Sequence, residues 1–206
     1  MTATPFLHCE ALSFAYPGSR RVVDLWTHDF TAGLCWLRGA NGTGKSTRLK
    51  LLAGALTPQY GSVQLLGLDL LKQPLDYRRQ AAWVGAEPPA FEHLSPAERF
   101  AFLAGLYPRA DAAQWQAHVE GFGLTPFLAQ PMSQLSTGTQ HKAALAAALA
   151  LQTPLLLQDE PLNALDAASV DYLRGLMRLA AQASDRLWLV VSHEDLGLAP
   201  SATLDL

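Results

Sequence analysis

One stretch of the sequence constrains the fold more than any other, because it joins a glycine-rich loop to a lysine and a hydroxyl residue. The octapeptide Gly39-Ala-Asn-Gly-Thr-Gly-Lys-Ser46 matches the pattern G-x-x-x-x-G-K-[ST] in full. It follows the apolar run 33–37, which is typical of a strand buried on both faces. It precedes residues 47–56, where leucines recur near helical spacing. A strand, this loop and a helix together predict a cradle of backbone N–H groups for phosphate oxygens.

The side chains of this loop suggest separate roles. Lys45 can reach the β and γ phosphates of a nucleotide, so it is a candidate catalytic residue, and Ser46 is placed to bind Mg²⁺. A dinucleotide-binding loop would need G-x-G-x-x-G and would leave both residues without a role. A fortuitous glycine-rich turn is the remaining alternative. The predicted nucleotide-binding residues of this segment are Gly39, Ala40, Asn41, Gly42, Thr43, Gly44, Lys45, Ser46 and Thr47.

A second apolar strand ends in two carboxylates, in Leu155-Leu-Leu-Gln-Asp159-Glu160. At the carboxyl end of a parallel strand beside the phosphate loop, Asp159 can hold Mg²⁺ through water. Glu160 can then act as the general base that polarises an attacking water. Taken alone, an ordinary strand with acidic turn residues at its end would explain the same letters.

A third motif, Leu135-Ser-Thr-Gly-Thr-Gln140, opens an alanine-rich helix expected over 138–151. Ser136 and Gly138 at the start of this helix form a second candidate phosphate cradle. Because the first loop already serves one set of phosphates, the second fits the nucleotide of another subunit. An ordinary capped helix is the alternative.

The order of the remaining elements predicts a layered α/β fold in a single domain, residues 1–206. We expect a mainly parallel core sheet, an N-terminal antiparallel β part and a helical subdomain over about 88–135. Strands are expected within 7–38 and at 61–70 (a hairpin turning at Gly67), 81–85, 155–157 and 187–191, the last strong strand, and further helices from Ser95, over 111–122 and over 167–183.

Composition narrows the class of protein further. Half of the 206 residues are apolar, which excludes a disordered chain, and only 16% are charged against a typical value of about 25%. The pI near 6 argues against a nucleic-acid partner, whereas a surface with little charge suits a permanent protein partner. Cys9 and Cys35 are expected to be free buried thiols. We expect no secretory signal, and the longest apolar runs fall well short of the ~20 residues that cross a bilayer.

In this order and spacing, the three motifs resemble the ATP-binding subunit of ATP-binding cassette (ABC) transporters, over about residues 7–193. The family signature Leu-Ser-Gly-Gly-Gln reads Leu-Ser-Thr-Gly-Thr at 135–139, which keeps Ser136 and Gly138. The resemblance implies a P-loop NTPase of the ABC type with ATP and Mg²⁺ as cofactors. It adds Asp166 of Asn163-Ala-Leu-Asp166, the switch histidine His193, which would be catalytic, and Tyr16, which would stack on adenine. Alone, His193 would more often be a polar residue ending a strand, and Tyr16 a core residue.

Some positions depart from the family pattern. Gln158 replaces the usual apolar residue before Asp159, which we expect to be tolerable at a strand end. Thr139 replaces the signature glutamine. The loop Trp83-Val-Gly-Ala-Glu87-Pro88 contains no glutamine, although the family uses one there to reach Mg²⁺. The position is Ala86 without a gap and Glu87 with one deletion. Glu87 is the preferred metal ligand, because it keeps an oxygen donor.

The function implied by the resemblance is that of an ATPase subunit that dimerises head to tail around two ATP molecules, as a homodimer or a heterodimer. It would drive membrane permease subunits from the cytoplasmic face of the inner membrane. The small size and the 83–88 stretch are similar to bacterial exporter ATPases, including haem exporters of cytochrome c maturation. The alternative is a single-cassette ABC ATPase that acts as a non-transport assembly or remodelling factor. A P-loop kinase or GTPase is disfavoured by the signature-like motif and by the lack of Asn-Lys-x-Asp.

Overall fold

The computed structural model of the protein describes residues 5–85 and 91–206. The described strands are β1 (Leu7–Ala15), β2 (Arg21–Phe30), β3 (Gly33–Arg38), β4 (Tyr60–Leu65), β5 (Leu68–Asp69), β6 (Ala81–Val84), β7 (Leu155–Asp159), β8 (Leu187–Val191) and β9 (Ala202–Asp205). The described α-helices are α1 (Lys45–Leu52), α2 (Pro74–Arg78), α3 (Pro96–Ala104), α4 (Ala112–Gly121), α5 (Thr137–Ala150) and α6 (Ala167–Ala181). Short 3-10 turns lie at Thr125–Phe127 and Met132–Gln134.

The strands form two sheets. One is antiparallel in the order β2-β1-β4-β5, and the other is parallel in the order β6-β7-β8-β3-β9. This confirms the predicted α/β fold with an N-terminal antiparallel part. In the parallel sheet Asp159 at the end of β7 pairs with Val191, and Leu37 of β3 pairs with the same residue. The loops that follow β3, β7 and β8 therefore leave the same edge, where ligands of open parallel sheets bind.

The parallel sheet is covered on both faces, which explains the continuous apolar runs of its central strands. Every residue of β7 and β8 is buried. Along β7 the side chains alternate: Leu155 and Leu157 belong to the core beneath α1 and the antiparallel sheet. Leu156 belongs to the core shared with α4, α5 and α6. Such runs, apolar at every position, are typical of parallel strands.

The predicted helix starts are confirmed in detail. Ser95 caps α3 in a capping box with Glu98, in which each side chain accepts a backbone N–H of the other residue. Asp111 caps α4, since its Oδ1 accepts the Ala113 N–H at 2.7 Å. Helices α3 and α4 lie within the segment assigned to the helical subdomain, whose boundaries stay a prediction.

Two elements differ from the sequence-based expectations. The last strand is β9, not β8, and it extends the sheet by pairing Cys35 with Ala202 and Arg38 with Asp205. It is an edge strand of four largely exposed residues, so it carries no apolar pattern to detect. Helix α1 ends at Leu52, and Gly54 follows with φ of +71°, a conformation that favours glycine after a helix. Within 5–85 and 91–206, no helix is both long and apolar enough to cross a membrane.

Candidate active site

The phosphate-loop residues form a turn between β3 and α1 that is closed by its own lysine. Lys45 Nζ donates to the carbonyl oxygens of Gly39 at 2.8 Å and Ala40 at 3.0 Å. The Thr43 hydroxyl donates to the Ala40 carbonyl at 3.0 Å. The Lys45 side chain is buried, so its ammonium is held among backbone dipoles rather than in solvent. Such an ammonium is suited to a triphosphate, whose oxygens would replace the carbonyl acceptors.

Gly44 shows why this loop requires glycine. Its φ is +83°, and a β-carbon placed on it would lie 2.7 Å from Val22 Cγ1 and 2.9 Å from the Val22 carbonyl oxygen. Both the backbone conformation and the contact with β2 exclude a side chain. The loop is therefore packed against strand β2 of the antiparallel sheet at Gly44.

A cleft of about 430 Å³ lies at the carboxyl edge of the parallel sheet. It brings together residues from the loops after β3, β7 and β8, as the sequence predicted. The lining residues are Val22, Asn41, Gly42, Gly44, Lys45, Ser46, Thr47, Asp159, Glu160, Val191 and His193. The cleft thus combines a cation, backbone amides, two hydroxyls and two carboxylates, a set suited to a nucleotide and a divalent cation.

Glu160 is held in a fixed and strained position. Its φ is +51°, which is uncommon for a residue with a side chain, and its N–H donates to the Val191 carbonyl at 2.8 Å. The His193 N–H donates to both carboxylate oxygens, at 3.1 and 3.2 Å. His193 Nε2 lies 3.3 Å from Glu160 Oε1. Glu160 can therefore accept a proton from a water in the cleft without first reorienting.

The donor set in the cleft fits Mg²⁺ bound together with a phosphate. Ser46 is exposed, Asp159 is buried, and both line the same cleft. No group of three or more His, Cys, Asp and Glu that could hold a metal occurs among residues 5–85 and 91–206. A cation here would take its remaining ligands from phosphate oxygens and water, which is the usual coordination of Mg²⁺.

Tyr16 stands at the border of the cleft rather than inside it. Its hydroxyl lies 3.3 Å from Thr47 Oγ1, and Thr47 lines the cleft. Tyr16 is 38% exposed as a residue, and its ring packs edge-on against Phe14, with 5.0 Å between ring centroids. The exposed part of the ring is available for stacking.

Ser136 and Gly138 are not among the residues that line this cleft. Ser136 caps α5, because its Oγ accepts the Thr139 N–H at 3.2 Å. A β-carbon on Gly138 would lie 2.5 Å from the Ala164 carbonyl oxygen, so the start of α5 packs directly on the 160–166 loop. The second cradle is thus anchored on the 160–166 loop and does not line the first site.

Two further contacts link α5 to that loop, and sequence reasoning missed both. Lys142 forms an ion pair with Asp166, and His141 Nε2 lies 3.1 Å from the Pro161 carbonyl oxygen. Asp166 also caps α6 by accepting the Ser169 N–H. The Lys142 ammonium and the Ser169 hydrogen bonds lower the pKa of Asp166 to about 2. These partners lie 20 or more residues apart, so no local sequence pattern predicts the contacts.

Two sequence expectations remain, one for the missing glutamine of the 83–88 loop and one for Gln158. Ala86 and Glu87, the alternatives for the missing glutamine, lie outside the described residues. Gln158 is the penultimate residue of β7, close to the strand end as expected, and it pairs in register with Val84 and Val190. It is completely buried, and neither its Nε2 nor its Oε1 has a hydrogen-bond partner.

Comparison with known proteins identifies the class. Residues 31–163 match the family model of the ABC transporters. The chain belongs to this family as an ATP-binding subunit, and it is an ATPase. Among solved structures, the ATP-binding subunit of an ABC transporter superposes with a TM-score of 0.81 at 26% identity, over 91% of this chain and 80% of the other. A dimeric ATP-binding cassette in a post-hydrolysis state with ADP and phosphate shares the fold, with a TM-score of 0.74 at 20% identity, over 91% of this chain and 88% of the other.

Individual relatives show which members of the family the chain is similar to. The cytochrome c biogenesis ATP-binding export protein CcmA of Pseudomonas syringae pv. syringae is 31% identical over 206 residues, covering 99% of this chain and 95% of the relative. CcmA of Yersinia pestis is 33% identical over 162 residues, covering 78% and 73%. The thiamine import ATP-binding protein ThiQ of Shigella flexneri is 36% identical over 160 residues, covering 75% and 68%.

Proposed function

We propose that this chain is the ATPase of an exporter for cytochrome c biogenesis, that it drives separate permease subunits and that haem is the transported substrate. The observation that carries this proposal is the 31% identity to a cytochrome c biogenesis export protein over nearly the full length of both chains. The match to a thiamine import protein is slightly higher in identity but shorter in both chains. No comparison favours a non-transport assembly factor.

In this proposal the cleft binds ATP through residues of three loops. Lys45 and the backbone N–H groups of residues 39–47 hold the β and γ phosphates, and the exposed face of Tyr16 stacks on adenine. Ser46 and Asp159 hold Mg²⁺, with Glu87 as the candidate third ligand. When bound, this ion supplies positive charge that offsets the phosphate oxygens.

Glu160 is the proposed general base. Its carboxylate is already ordered by the His193 N–H, and it accepts the proton of the water that attacks the γ phosphate. The His193 ring lies beside the same carboxylate, half exposed to the cleft, and is the proposed sensor of the γ phosphate. The charge on Lys45 stabilises the negative charge that develops on the phosphate oxygens.

Ser136 and Gly138 complete the site of a second subunit in this proposal. Because neither residue lines the chain's own cleft, we take them to bind in trans, and the ion pair of Lys142 with Asp166 joins Asp166 to the same helix. The two subunits form a head-to-tail homodimer or heterodimer around two ATP molecules. The pair is held at the cytoplasmic face of the inner membrane by its permease subunits.

Two experiments separate the ATPase chemistry from the transport role. Lys45→Ala should abolish ATP hydrolysis and greatly weaken nucleotide binding, because no other cation of the loop can replace the ammonium. Unchanged turnover would overturn the assignment of the loop.

Deleting the gene should remove c-type cytochromes detected by their covalently bound haem. The intact gene should restore them and Lys45→Ala should not. Normal cytochromes in the deletion strain would contradict the exporter role while leaving the ATPase untouched.

A further inference from the structure

Arg48, on the first turn of α1, contacts the backbone of the phosphate loop. Its Nη1 donates to the Thr43 carbonyl oxygen at 2.5 Å. A β-carbon placed on Gly44 would lie 3.0 Å from the same nitrogen. The guanidinium lies over the ring of Trp26 of β2, 5.1 Å from its centroid. Arg48 is therefore clamped between the loop and an aromatic face.

This arginine has no acidic partner in the described part of the chain. Partial burial lowers its pKa, and the nearby Cys9 thiol is neutral, because burial raises its pKa to about 12. The Nε atom has no hydrogen-bond partner. The Thr43 carbonyl and the Trp26 ring are thus the contacts that compensate for burying the charge. Burying an arginine without an acidic partner costs free energy, so we expect this side chain to have a function in the phosphate loop that it contacts.

The geometry of the peptide bond supplies that role. In a planar trans peptide the C=O and N–H groups point in opposite directions. Because the Thr43 carbonyl points at Arg48, the Gly44 N–H of the same peptide points away from it. Gly44 lines the cleft, and its N–H donates to no acceptor among the described residues. The donor is thereby left facing the cleft.

We propose that Arg48 is a positioning residue that holds the Thr43–Gly44 peptide with its N–H towards the bound phosphate, and that Trp26 keeps Arg48 in place. The inference rests on the proposed role of residues 39–47 in phosphate binding. Arg48 does not touch the nucleotide. It acts through the peptide orientation, so a planar group that donates to the carbonyl is needed as well as a charge.

A labelling scheme makes this peptide directly observable. Thr-Gly occurs twice in the sequence, at Thr43-Gly44 and Thr137-Gly138. Protein with carbonyl-¹³C threonine and ¹⁵N glycine therefore shows two peaks in a spectrum that selects a labelled carbonyl followed by a labelled nitrogen. Titration with Mg·ADP should shift the Gly44 amide downfield, as expected for a hydrogen bond to phosphate. Gly138 serves as an internal reference in the isolated subunit.

Arg48→Leu is the test variant and Arg186→Leu its matched control. Arg186 is also a partly buried arginine that lies over a tryptophan ring and donates to a backbone carbonyl, but it precedes β8 at the opposite edge of the sheet. Arg48→Leu should reduce the Gly44 shift at saturating Mg·ADP and weaken ADP binding roughly tenfold. The KM for ATP should rise more than kcat falls, because the loop holds the phosphates before and during the reaction. Arg48→Lys should restore part of the affinity, and Trp26→Leu should reproduce the defect more weakly.

The outcomes distinguish this inference from the proposed site. If Lys45→Ala abolishes ADP binding while Arg48→Leu keeps the full Gly44 shift and wild-type affinity, the positioning role is wrong. If wild-type Gly44 does not respond to Mg·ADP and Lys45→Ala binds normally, the phosphate loop itself is wrongly assigned. Should Arg48→Leu not fold, the milder Trp26→Leu variant must show the reduced shift and affinity, or the inference fails.

Discussion

At the scale of single residues, the proposed general base, Glu160, is held in place by the backbone N–H of His193. Glu160 accepts two hydrogen bonds from the His193 N–H, and that N–H belongs to the loop after β8, which the parallel sheet places beside β7. The carboxylate therefore keeps its place when the His193 ring is changed. This geometry separates the contributions of the two side chains.

Glu160→Gln should lower kcat for ATP hydrolysis by about 10²-fold or more, because it removes the proton acceptor and preserves the shape of the side chain. ATP binding should survive, so the variant should accumulate in the ATP-bound state. Single-turnover hydrolysis and equilibrium ATP binding measure the two effects. The control is His193→Ala, which leaves the backbone donor to Glu160 intact. Normal hydrolysis by Glu160→Gln would place the base elsewhere, with His193 the next candidate.

The residues of the site were predictable to the extent that each belongs to a local motif. Lys45, Asp159 and Glu160 belong to short motifs that can be recognised from a few consecutive residues. The structure places all three in one cleft. The role of Arg48 could not be predicted from the same stretch, because its partner Trp26 lies on strand β2, far away in the sequence. The complete burial of Gln158 could not be predicted, because it depends on the pairing of β7 with β6 and β8.

At the scale of elements, α4 and α6 are joined by a polar contact inside an apolar core. His118 of α4 is 4% exposed, and its Nδ1 lies 2.8 Å from the Tyr172 hydroxyl of α6. Burial, assisted by the charge of Arg186, lowers the pKa of His118 to about 4. The folded state therefore binds a proton at this site less readily than the unfolded state, whose histidine has its ordinary pKa near 6.5.

This difference predicts a pH dependence of stability. The contribution of neutral His118 is present above the unfolded pKa and is lost as the pH falls from about 6.5 towards 4. The free energy of unfolding of His118→Asn should fall less than that of the wild type between about pH 7 and pH 5, by about 2 kcal/mol. Urea unfolding at several pH values measures this slope. The exposed His93, replaced by Asn, is the control, and equal slopes in His118→Asn and wild type would contradict the argument.

Elements with strong internal patterns were predictable, and those that depend on partners were not. The apolar runs of β3, β7 and β8 and the caps Ser95 and Asp111 are local signals, so their elements were found with small errors at the ends. Strand β9 has no such signal, because its stability comes from backbone pairing with β3 at the sheet edge. Helix α2, five residues long, begins with a proline but carries too few apolar positions to show a helical period.

At the scale of the whole molecule, the two phosphate cradles of one chain serve different sites in the proposed assembly. Six residues of the phosphate loop, 41, 42 and 44–47, line the cleft. Ser136 and Gly138 are instead held on the 160–166 loop by the close approach to Ala164 and the ion pair of Lys142 with Asp166. Two helix N-termini facing one triphosphate from opposite sides give favourable electrostatics. Removal of the shared γ phosphate by hydrolysis then weakens the contact between subunits.

The head-to-tail arrangement can be tested by mixing two inactive proteins. Lys45→Ala removes the ammonium of a subunit's own cleft, and Ser136→Arg blocks the cradle that it offers to its partner. Each variant alone should be inactive. In a mixed dimer one composite site carries both lesions and the other carries neither. With random pairing, half of the dimers are mixed and one of their two sites is intact, so roughly a quarter of the wild-type ATPase rate should return if each site works independently.

A double variant that carries Lys45→Ala and Ser136→Arg in the same chain is the matched control. Its mixed dimers with wild-type protein place one lesion in each site, so the mixture should show no activity beyond that of the wild-type homodimers present. Comparing the two mixtures tests whether each site is built from one subunit or from two, because both contain the same lesions in different arrangements. If Ser136→Arg alone keeps full ATPase activity, Ser136 does not act on the partner's phosphate and the second cradle is an ordinary helix cap. If each site is composite, both mixtures should show about a quarter of the wild-type rate, the first from one intact site in each mixed dimer and the second from its wild-type homodimers. A site built within one subunit would instead give no recovery in the first mixture and about half of the wild-type rate in the second.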